Sequence, residues 1–377
     1  MGYSIPMTRR NFVRAGTAVA GTFLLGTSIR RSGPAPAGAQ TSAPPTVDRL
    51  AVRVVVDSYQ DALVRTTRVG EVEVQRFGVV SGAGLGKHVH NEFGLSLHLE
   101  SQRGSETRQA LLDFGFTPTA LFNNLDLLKI DPASIDALIV SHGHFDHFGG
   151  LVPLLKRDRG KMRADLPLYA GGENTFCYRW VVPPGGQPQS FGVLDRRDLA
   201  GANVRVVLAD KPAVIAGHGF TTGSIARASF EKVVPNTQVE VGMRDGAGCD
   251  PAHFTKEERE GKLVFDNHWG EHATCFNVKD RGLVVISSCG HAGLINSIRQ
   301  AQAVSGVQKV HAAMGGFHLS PAPEPYIAQT VQALKELDVD YIIPMHCSGA
   351  GFIRAVQRDL PDRFIMSYTA TRYIFGA

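Results

Sequence analysis

The sequence predicts an α/β fold in which mixed β-sheets pack together and helices cover their outer faces. Three observations lead to this prediction. Residues 49–141 consist mainly of strand-like apolar runs, whereas residues 281–343 alternate strand and helix patterns. The content of 43% hydrophobic and 20% charged residues is that of a globular protein. Such elements bury their apolar faces when sheets stack and helices lie outside them.

Strand-like segments come first along the chain. Apolar, β-branched runs predict strands at residues 49–57, 71–80, 94–100 and 108–113. Residues 117–129 predict a helix, because Pro118 occupies a first-turn position. The run at 137–141 predicts a buried strand, and the Gly149-Gly150 pair beyond it a turn into a helix. Residues 155–270 give mixed strand signals, because Gly and Pro are frequent there.

The C-terminal third repeats one pattern three times. Strands are predicted at residues 281–286, 308–313 and 339–343, and helices at residues 292–305 and 323–337. Each strand leads into a histidine beside glycine or another small residue, in the segments SSCGHAG, MGGFHLS and PMHCSG. Because the carboxyl ends of parallel strands meet at one edge of a sheet, we expect His291, His318 and His346 to converge.

The segment SHGHFDHFGG at residues 141–150 places four potential metal ligands at the end of a predicted strand. His142 and His144 lie on one side of an extended segment and can share one metal ion. Asp146 and His147 follow on a bend and can reach a second ion a few ångströms away. Neutral imidazole and carboxylate are preferred ligands of zinc and similar divalent ions. The alternative, a polar loop with chance histidines, does not readily explain four such residues within six positions.

The other candidate residues each have a plainer structural explanation. Each of the three late histidines could be a hydrogen-bonded loop residue. Cys289 could supply a thiolate beside His291, but a buried structural cysteine is the favoured interpretation. Trp180, Trp269 and His272 are candidate pocket walls for which simple packing is the simpler account. The five cysteines form no CxxC pair and imply no disulfide framework, although they leave room for one bridge in an oxidising compartment.

The N-terminal residues 1–39 resemble a cleavable twin-arginine export signal. Arg9 and Arg10 precede an apolar residue, and a weakly apolar run follows them. Ala37 and Ala39 form an A-x-A cleavage site. The run is too short and too rich in Gly and Thr for a stable membrane span. An ordinary basic tail with an apolar helix is the alternative.

Cleavage of this signal would change the organisation and the charge of the chain. It would leave residues 40–48 as a flexible leader before a single domain at residues 49–377, in the periplasm or outside the cell. The export machinery would then be a partner. Residues 1–39 hold five arginines and no acidic residue, so their removal changes the formal net charge from +4 to about −1. The remaining chain therefore gives no support to nucleic-acid binding.

The motif SHGHFDH, preceded by LLDFG at residues 111–115, resembles the metallo-β-lactamase superfamily. NEFGLS at residues 91–96 and the three late histidine motifs resemble its branch of 7,8-dihydropterin-6-yl-methyl-4-(β-D-ribofuranosyl)aminobenzene 5'-phosphate synthase-like proteins. The resemblance covers roughly residues 50–377. It implies a four-layer αββα sandwich of the metallo-β-lactamase type, with the metal site along one edge.

The resemblance also implies roles for individual residues. It makes His142, His144, Asp146 and His147 metal ligands, with His291 and His346 the best matches among the later histidines. Asp113 would support the metal loop without touching the metal.

Two features depart from the superfamily pattern. Residues 150–345 contain no bridging aspartate in a Gly-Asp context, and the Cys289/His291 loop occupies the place where that aspartate normally appears. The sequence around His218 matches the third-histidine motif GHxxG only in part. The number of metal ions, one or two, and the remaining ligands therefore stay open.

The sequence thus predicts a metal-dependent hydrolase for a small-molecule ester, lactone, amide or phosphoester. Zinc is the expected metal, with iron or manganese as alternatives. Asp146 would bind the metal or orient the attacking water, and His318 would contact the substrate or the transition state. GxSxG and P-loop motifs, which would suggest other chemistry, are absent from the sequence. The alternatives are a pterin-precursor synthase, an iron-dependent redox enzyme, and a non-catalytic metal-binding or ligand-binding protein.

Overall fold

The structure, a computed structural model, describes residues 44–78, 86–183, 185–234, 236–259 and 263–376. The predicted export signal, with its twin arginine and its cleavage site, lies outside the described residues. So does the end of the strand that the sequence predicts at residues 71–80. In the described part, no helix is both long enough and apolar enough to span a membrane.

Short and medium strands make up most of the regular structure. In chain order they are β1 (Thr46–Val47), β2 (Arg49–Val56), β3 (Thr67–Val69), β4 (Val72–Gln75), β5 (Ser96–Arg103), β6 (Glu106–Leu112), β7 (Ala137–Val140), β8 (Pro167–Ala170), β9 (Tyr178–Val181), β10 (Gln189–Ser190), β11 (Arg205–Leu208), β12 (Val214–Ile215), β13 (Gly219–Thr221), β14 (Thr237–Glu240), β15 (Met243–Arg244), β16 (Ala247–Gly248), β17 (Leu263–Phe265), β18 (Thr274–Val278), β19 (Gly282–Ser287), β20 (Val310–Gly316), β21 (Tyr341–Met345) and β22 (Arg372–Gly376).

The α-helices are α1 (Pro118–Leu127), α2 (Phe145–Phe148), α3 (Leu151–Asp158), α4 (Arg196–Gly201), α5 (Leu294–Ser305), α6 (Glu324–Glu336) and α7 (Ala350–Asp359). Helix α1 begins where the sequence predicts, because the Thr117 side chain accepts a hydrogen bond from the backbone N–H of Ala120. Helix α5 begins two residues later than predicted. Gly293 precedes it with a φ of 98°, a backbone conformation that glycine adopts readily and that helical residues do not.

Two large sheets form the centre of the fold. One has nine strands in the order β11-β8-β7-β6-β5-β2-β22-β4-β3. The other has seven, in the order β12-β13-β18-β19-β20-β21, with β1 paired to β18. Strands β6, β7 and β8 run parallel to one another, as do β19, β20 and β21. The loops that follow β7, β19, β20 and β21 carry the histidine motifs.

The core between the two sheets is continuous and apolar. It contains side chains from β2, β5 and β7 together with side chains from β19, β20 and β21: Val52, Leu97, Ile139, Val284, Met314 and Ile343. Alternate residues of one strand serve different layers, because side chains of a strand point to opposite faces. Val284 lies in this inner core, whereas Val285 lies in a separate core outside the second sheet.

Helices cover both outer faces. A second buried cluster joins α1 and α3 to the first sheet through Leu121, Leu154 and Leu138. A third joins α5, α6 and α7 to the second sheet through Ile298, Val331, Val356 and Val285. The order helix, sheet, sheet, helix confirms the four-layer αββα architecture that the sequence predicts.

The structure differs from the sequence prediction at the leader. Thr46 and Val47, within the segment predicted to be flexible, form β1, which pairs with β18. Val47 is completely buried in the core between the sheets. Hydrogen bonding and burial therefore fix the end of the leader to the domain.

The region that the sequence leaves poorly defined contains a smaller sheet and a disulfide. Strands β10, β9, β14 and β17 form the sheet, in that order. Cys177 and Cys249, separated by 72 positions, are joined by a disulfide. This is the single bridge for which the sequence left room, and Cys275, Cys289 and Cys347 are free and buried.

Candidate metal centre

The loops that follow β7, β19 and β21 bring six predicted ligands together in two groups of three. One group contains His142, His144 and His291, and the other contains Asp146, His147 and His346. Within each group, one potential ligand atom from every residue lies within 4.8 Å of the others. The convergence at one sheet edge follows the parallel arrangement of the strands.

The motif after β7 changes from an extended segment to a helix within a few residues. His144 retains extended backbone angles and precedes α2, so Asp146 and His147 lie in the first turn of that helix. Gly143 has no space for a side chain, since the Arg179 guanidinium and the Thr175 carbonyl occupy the position of a Cβ atom. The glycine therefore allows the backbone between the two histidines to pack against a buried cation.

His346 is held by its backbone in an uncommon conformation. Its φ of 45° lies in the left-handed region, which a residue other than glycine adopts only when its surroundings enforce it. The His346 backbone N–H donates to the Asp57 carboxylate at 2.7 Å, and Asp57 is fully buried. This contact fixes the direction in which the imidazole leaves β21.

The ligand atoms of the two groups are buried and lack protein partners. This holds for Nε2 of His142, His144 and His147, for both ring nitrogens of His291, and for Oδ1 of Asp146. Buried polar atoms are nearly always hydrogen-bonded, so such a concentration of exceptions at one place indicates a ligand-binding role. Five imidazoles and one carboxylate in two groups fit one or two divalent cations.

Electrostatics favour neutral imidazoles in the first group. Burial, and then the proximity of neighbouring histidines, lowers the pKa of His142, His144 and His291 well below the usual value. A neutral imidazole offers the lone pair that a cation requires. The first group therefore needs little proton loss before it can bind a metal.

The second group is charged in the absence of a cation. Burial acts against ionisation of Asp146, but His147 and His346 outweigh that effect and lower its pKa. Burial also acts against protonation of His346, but Cys347 and Asp146 raise its pKa to about 9. Nε2 of His346 lies 3.1 Å from Oδ2 of Asp146. A cation bound there must therefore replace a proton.

Asp113 makes the contacts expected of a residue that supports the metal loop. It is fully buried at the end of β6, and its carboxylate accepts hydrogen bonds from the Ser141 N–H at 2.8 Å and the Ser141 hydroxyl at 2.7 Å. The Asp113 Oδ2 atom also lies 2.7 Å from Nδ1 of His147. A proton on that Nδ1 leaves the Nε2 lone pair free to face the second group.

Replacement of Asp113 by alanine is expected to weaken metal binding by about 10- to 100-fold, the usual range for a residue that orients a ligand from behind. Isothermal titration of the metal-free protein with zinc measures the effect. Asp126→Ala is the control, since the Asp126 side chain is 69% exposed and pairs with Arg157 at the surface. An unchanged affinity in Asp113→Ala would contradict the supporting role.

A buried ion pair that the sequence did not reveal supports the same loop. Arg179 is almost completely buried and donates to the Asp266 carboxylate at 2.9 Å and to the Gly143 carbonyl at 3.1 Å. Oδ2 of Asp266 lies 3.9 Å from Nε2 of His144. The guanidinium thus connects the smaller sheet to the backbone between His142 and His144.

The segment that begins at Asp266 contributes two further residues that were not predicted from the sequence, His268 and Glu271. The ring of His268 stacks on that of His291, with centroids 3.9 Å apart and planes inclined by 7°. Glu271 accepts a hydrogen bond from the backbone N–H of His291 at 3.0 Å. The signal was present in the sequence DNHWGEH, where Asp266, His268, Glu271 and His272 fall within seven positions.

His318 lies beside the first group and belongs to neither group of three. Its ring is 4.1 Å from that of His291, between centroids, and its Nδ1 is 3.5 Å from Sγ of Cys289. Cys289, His318 and Cys347 form a further cluster of potential ligands. The assignment of His318 to substrate contact stays a prediction.

The other candidates lie outside the two groups. His218, in the partial GHxxG match, contacts the Ser101 hydroxyl at 3.0 Å and belongs to neither ligand group. His272 lies behind the site, with Nε2 3.1 Å from the Val140 carbonyl. Trp180 belongs to the small sheet as part of β9, and Trp269 is half exposed beneath Arg227.

A cavity of about 420 Å³ opens beside His291 and His318. Its remaining lining is mostly apolar and comes from the segment around residue 233, from the loop before α6 and from the first turn of α6: Val233, Val234, Phe317, Leu319, Pro321, Ala322, Pro323 and Tyr326. Lys232 and Glu231 are its charged lining residues. The cavity is large enough for a small organic molecule.

Comparison with known proteins agrees with the fold and the motifs. Residues 103–164 match the Metallo-beta-lactamase superfamily. Over 270 residues the chain is 30% identical to the 7,8-dihydropterin-6-methyl-4-(beta-D-ribofuranosyl)-aminobenzene-5'-phosphate synthase of Methanocaldococcus jannaschii, which covers 71% of this chain and 84% of that protein. The chain therefore belongs to the metallo-β-lactamase superfamily, and within it to the branch that contains this synthase.

Two further relatives have less specific names. The uncharacterised protein MJ0448 of the same organism is 25% identical over 248 residues, which are 64% of this chain and 80% of that protein. The solved structure of Tm1679, a metal-dependent hydrolase of the beta-lactamase superfamily, has a TM-score of 0.62 and 18% identity. The match covers 86% of this chain and 98% of Tm1679, and shows the shared fold.

Proposed function

We propose that this protein is a metal-dependent hydrolase that cleaves an ester, lactone, amide or phosphoester bond of a small molecule. The observation that carries the proposal is the pair of buried ligand groups whose nitrogen and oxygen atoms lack protein partners. A divalent cation bound there supplies Lewis acidity and lowers the pKa of bound water toward ~7. Zinc is the proposed metal, because the donors are mainly imidazole nitrogens.

The residues of the two groups have distinct tasks in this mechanism. His142, His144 and His291 would hold one cation, and Asp146, His147 and His346 a second. Asp146 places Oδ2 toward His346, whereas its Oδ1 has no protein partner and can accept a hydrogen bond from the attacking water. That hydrogen bond would orient the water, and the Asp146 carboxylate would take up the proton that the water loses as its oxygen bonds to the substrate.

Features around the site support a substrate with an apolar part. The neighbouring cavity is lined mainly by aliphatic and aromatic side chains. Near the second group, Phe93 is 60% exposed although its ring lies only 4.8 Å from that of His346. An exposed aromatic ring beside a candidate ligand offers a surface on which a substrate can stack.

A second candidate function follows from the relative in Methanocaldococcus jannaschii. That protein is named a synthase, and its 30% identity to this chain supports a synthase reaction on a pterin precursor. Iron in the same site would support redox chemistry. A non-catalytic metal-binding role has less support, because both ligand groups are complete and a cavity adjoins them.

Metal removal is the direct test. Hydrolysis of a panel of esters, lactones, amides and phosphodiesters is expected to fall at least ~100-fold after chelation, since the cation supplies several kcal/mol of transition-state stabilisation. Zinc should restore it, and iron and manganese are tested in parallel. Hydrolysis that persists without bound metal would exclude the proposed mechanism. A zinc-loaded protein that cleaves nothing in the panel but converts pterin precursors would favour the synthase.

We also propose export through the twin-arginine route, supported by Arg9, Arg10 and the Ala37/Ala39 site in the sequence. Substitution of both Arg9 and Arg10 by lysine is expected to leave the precursor in the cytoplasm of a host that has this export machinery. Immunoblots of cytoplasmic and periplasmic fractions measure the distribution. Arg14→Lys is the matched control and should be exported. Normal export of the double variant would refute the route.

A further inference from the structure

Cys289 lies between the two ligand groups. Its Sγ atom and one ring nitrogen each of His142 and His147 all lie within 4.8 Å of one another. His142 belongs to the first group and His147 to the second. Nε2 of each histidine is buried without a protein partner. Cys289 itself is 2% exposed, so its sulfur atom is buried among potential ligands of both groups.

Two other carboxylates of the described residues lie close to the ligand groups, and neither is free to take the position of the Cys289 sulfur atom. Asp266 is the acidic residue near His144, but it is paired with the Arg179 guanidinium at 2.9 Å and lies 3.9 Å from the His144 nitrogen. Glu271 is occupied by the backbone N–H groups of His291 and Ala292. Both carboxylates therefore already have strong partners, whereas the Cys289 sulfur atom lies within 4.8 Å of one ring nitrogen each of His142 and His147.

Cys289 also has neighbours outside the two ligand groups. Its Sγ lies 3.2 Å from Sγ of Cys347, which in turn accepts a hydrogen bond from the backbone N–H of His318 at 3.2 Å. Cys347 is 6% exposed. The short distance between the two sulfur atoms and the contact of Cys347 with the His318 backbone hold the Cys289 side chain in place.

We propose that Cys289 is a thiolate ligand placed between the two metal positions, and that Cys347 positions its sulfur atom. The proposal rests on the metal centre proposed above. As the bond between sulfur and metal forms, the Cys289 S–H bond breaks and the proton leaves to solvent. A thiolate there makes the donor set softer and favours zinc or iron over magnesium or manganese.

Cobalt substitution tests the proposal without any need for turnover. The purified full-length chain is freed of metal and reloaded with Co²⁺, and its near-ultraviolet absorption and its cobalt content are measured. The wild-type protein should show thiolate-to-cobalt charge transfer. Cys289→Ser should lose that band while it still binds cobalt through the histidines. Cys275→Ser, which changes a free buried cysteine of β18, is the control and should keep the band.

Cys347→Ser separates the proposed arrangement from a different one. It should retain the charge-transfer band, because Cys347 positions the ligand and does not bind metal itself. If Cys289→Ser and Cys347→Ser both lose the band, cobalt lies in the separate cluster with His318, and the bridging role is overturned. A band that survives in Cys289→Ser but is lost in Cys347→Ser also overturns it.

A measurement on the wild-type protein makes the test independent of how the variants fold. X-ray absorption of the zinc-loaded chain should show a sulfur scatterer at about 2.3 Å in addition to nitrogen and oxygen at about 2.0–2.1 Å. Bound zinc with nitrogen and oxygen neighbours alone overturns the thiolate and leaves the hydrolase proposal standing. Failure to bind either metal overturns the metal centre itself, and with it both proposals.

Discussion

Replacement of Asp146 by asparagine is expected to lower kcat/KM by about 1,000-fold, which corresponds to ~4 kcal/mol of transition-state stabilisation. The amide keeps the size of the side chain but loses the negative charge that faces His346 at 3.1 Å. It also weakens the acceptor, Oδ1, that is proposed to orient the attacking water. Steady-state kinetics on the best substrate of the panel, together with metal analysis, measure the effect.

His144→Ala is the matching substitution in the other group, and it should lower metal content and activity together. The imidazole is 5% exposed and its Nε2 has no protein partner, so its loss removes a ligand and breaks no protein hydrogen bond at that nitrogen. Asp146→Asn should reduce turnover at least as strongly. His253→Ala is the control, because His253 is an exposed histidine that belongs to neither ligand group. Full activity with unchanged metal content in either site variant would refute the assignment.

Much of the site could be predicted because it depends on local sequence and on one general property of parallel sheets. The candidate ligands of each loop follow closely on an apolar, β-branched run that predicts a strand, and parallel strands end at a common edge. The positions of β7, β19, β20 and β21 were accordingly predicted to within a few residues. The ends of the elements were less accurate, as at β20, which extends to Gly316.

The remaining part of the site depends on contacts between segments distant in sequence. Arg179 and Asp266 are 87 positions apart, and the disulfide joins residues 72 positions apart. Neither pairing leaves a periodic pattern, because each belongs to short strands and loops whose position is set by tertiary packing. The position of Cys289 near both groups also depends on tertiary packing, because the loops that carry the two groups must come together before the sulfur atom can lie close to both.

The three late histidines follow identical-looking strand ends, yet the structure gives them different surroundings. His291 and His346 each belong to a group of three potential ligands. Both ring nitrogens of His291 lack a protein hydrogen-bond partner, and Nε2 of His346 lies 3.1 Å from the Asp146 carboxylate of its own group. His318 instead contacts Cys289 through Nδ1 and lines the apolar cavity beside His291. The first two should therefore hold metal, and His318 should contact the substrate or the transition state.

Alanine variants of these three histidines are expected to separate the two roles. His291→Ala and His346→Ala should lower the metal bound per chain. His318→Ala should keep wild-type metal content and lose ~100-fold or more in kcat/KM, the usual contribution of a positioned acid, base or hydrogen-bond donor. The Cys347 contact should persist in His318→Ala, because it uses the backbone N–H of residue 318. If His318→Ala loses metal while His291→Ala retains it, the roles are reversed. The attacking water and the substrate pocket would then lie nearer the loop at residues 314–320, and hydrolysis could still proceed at that position.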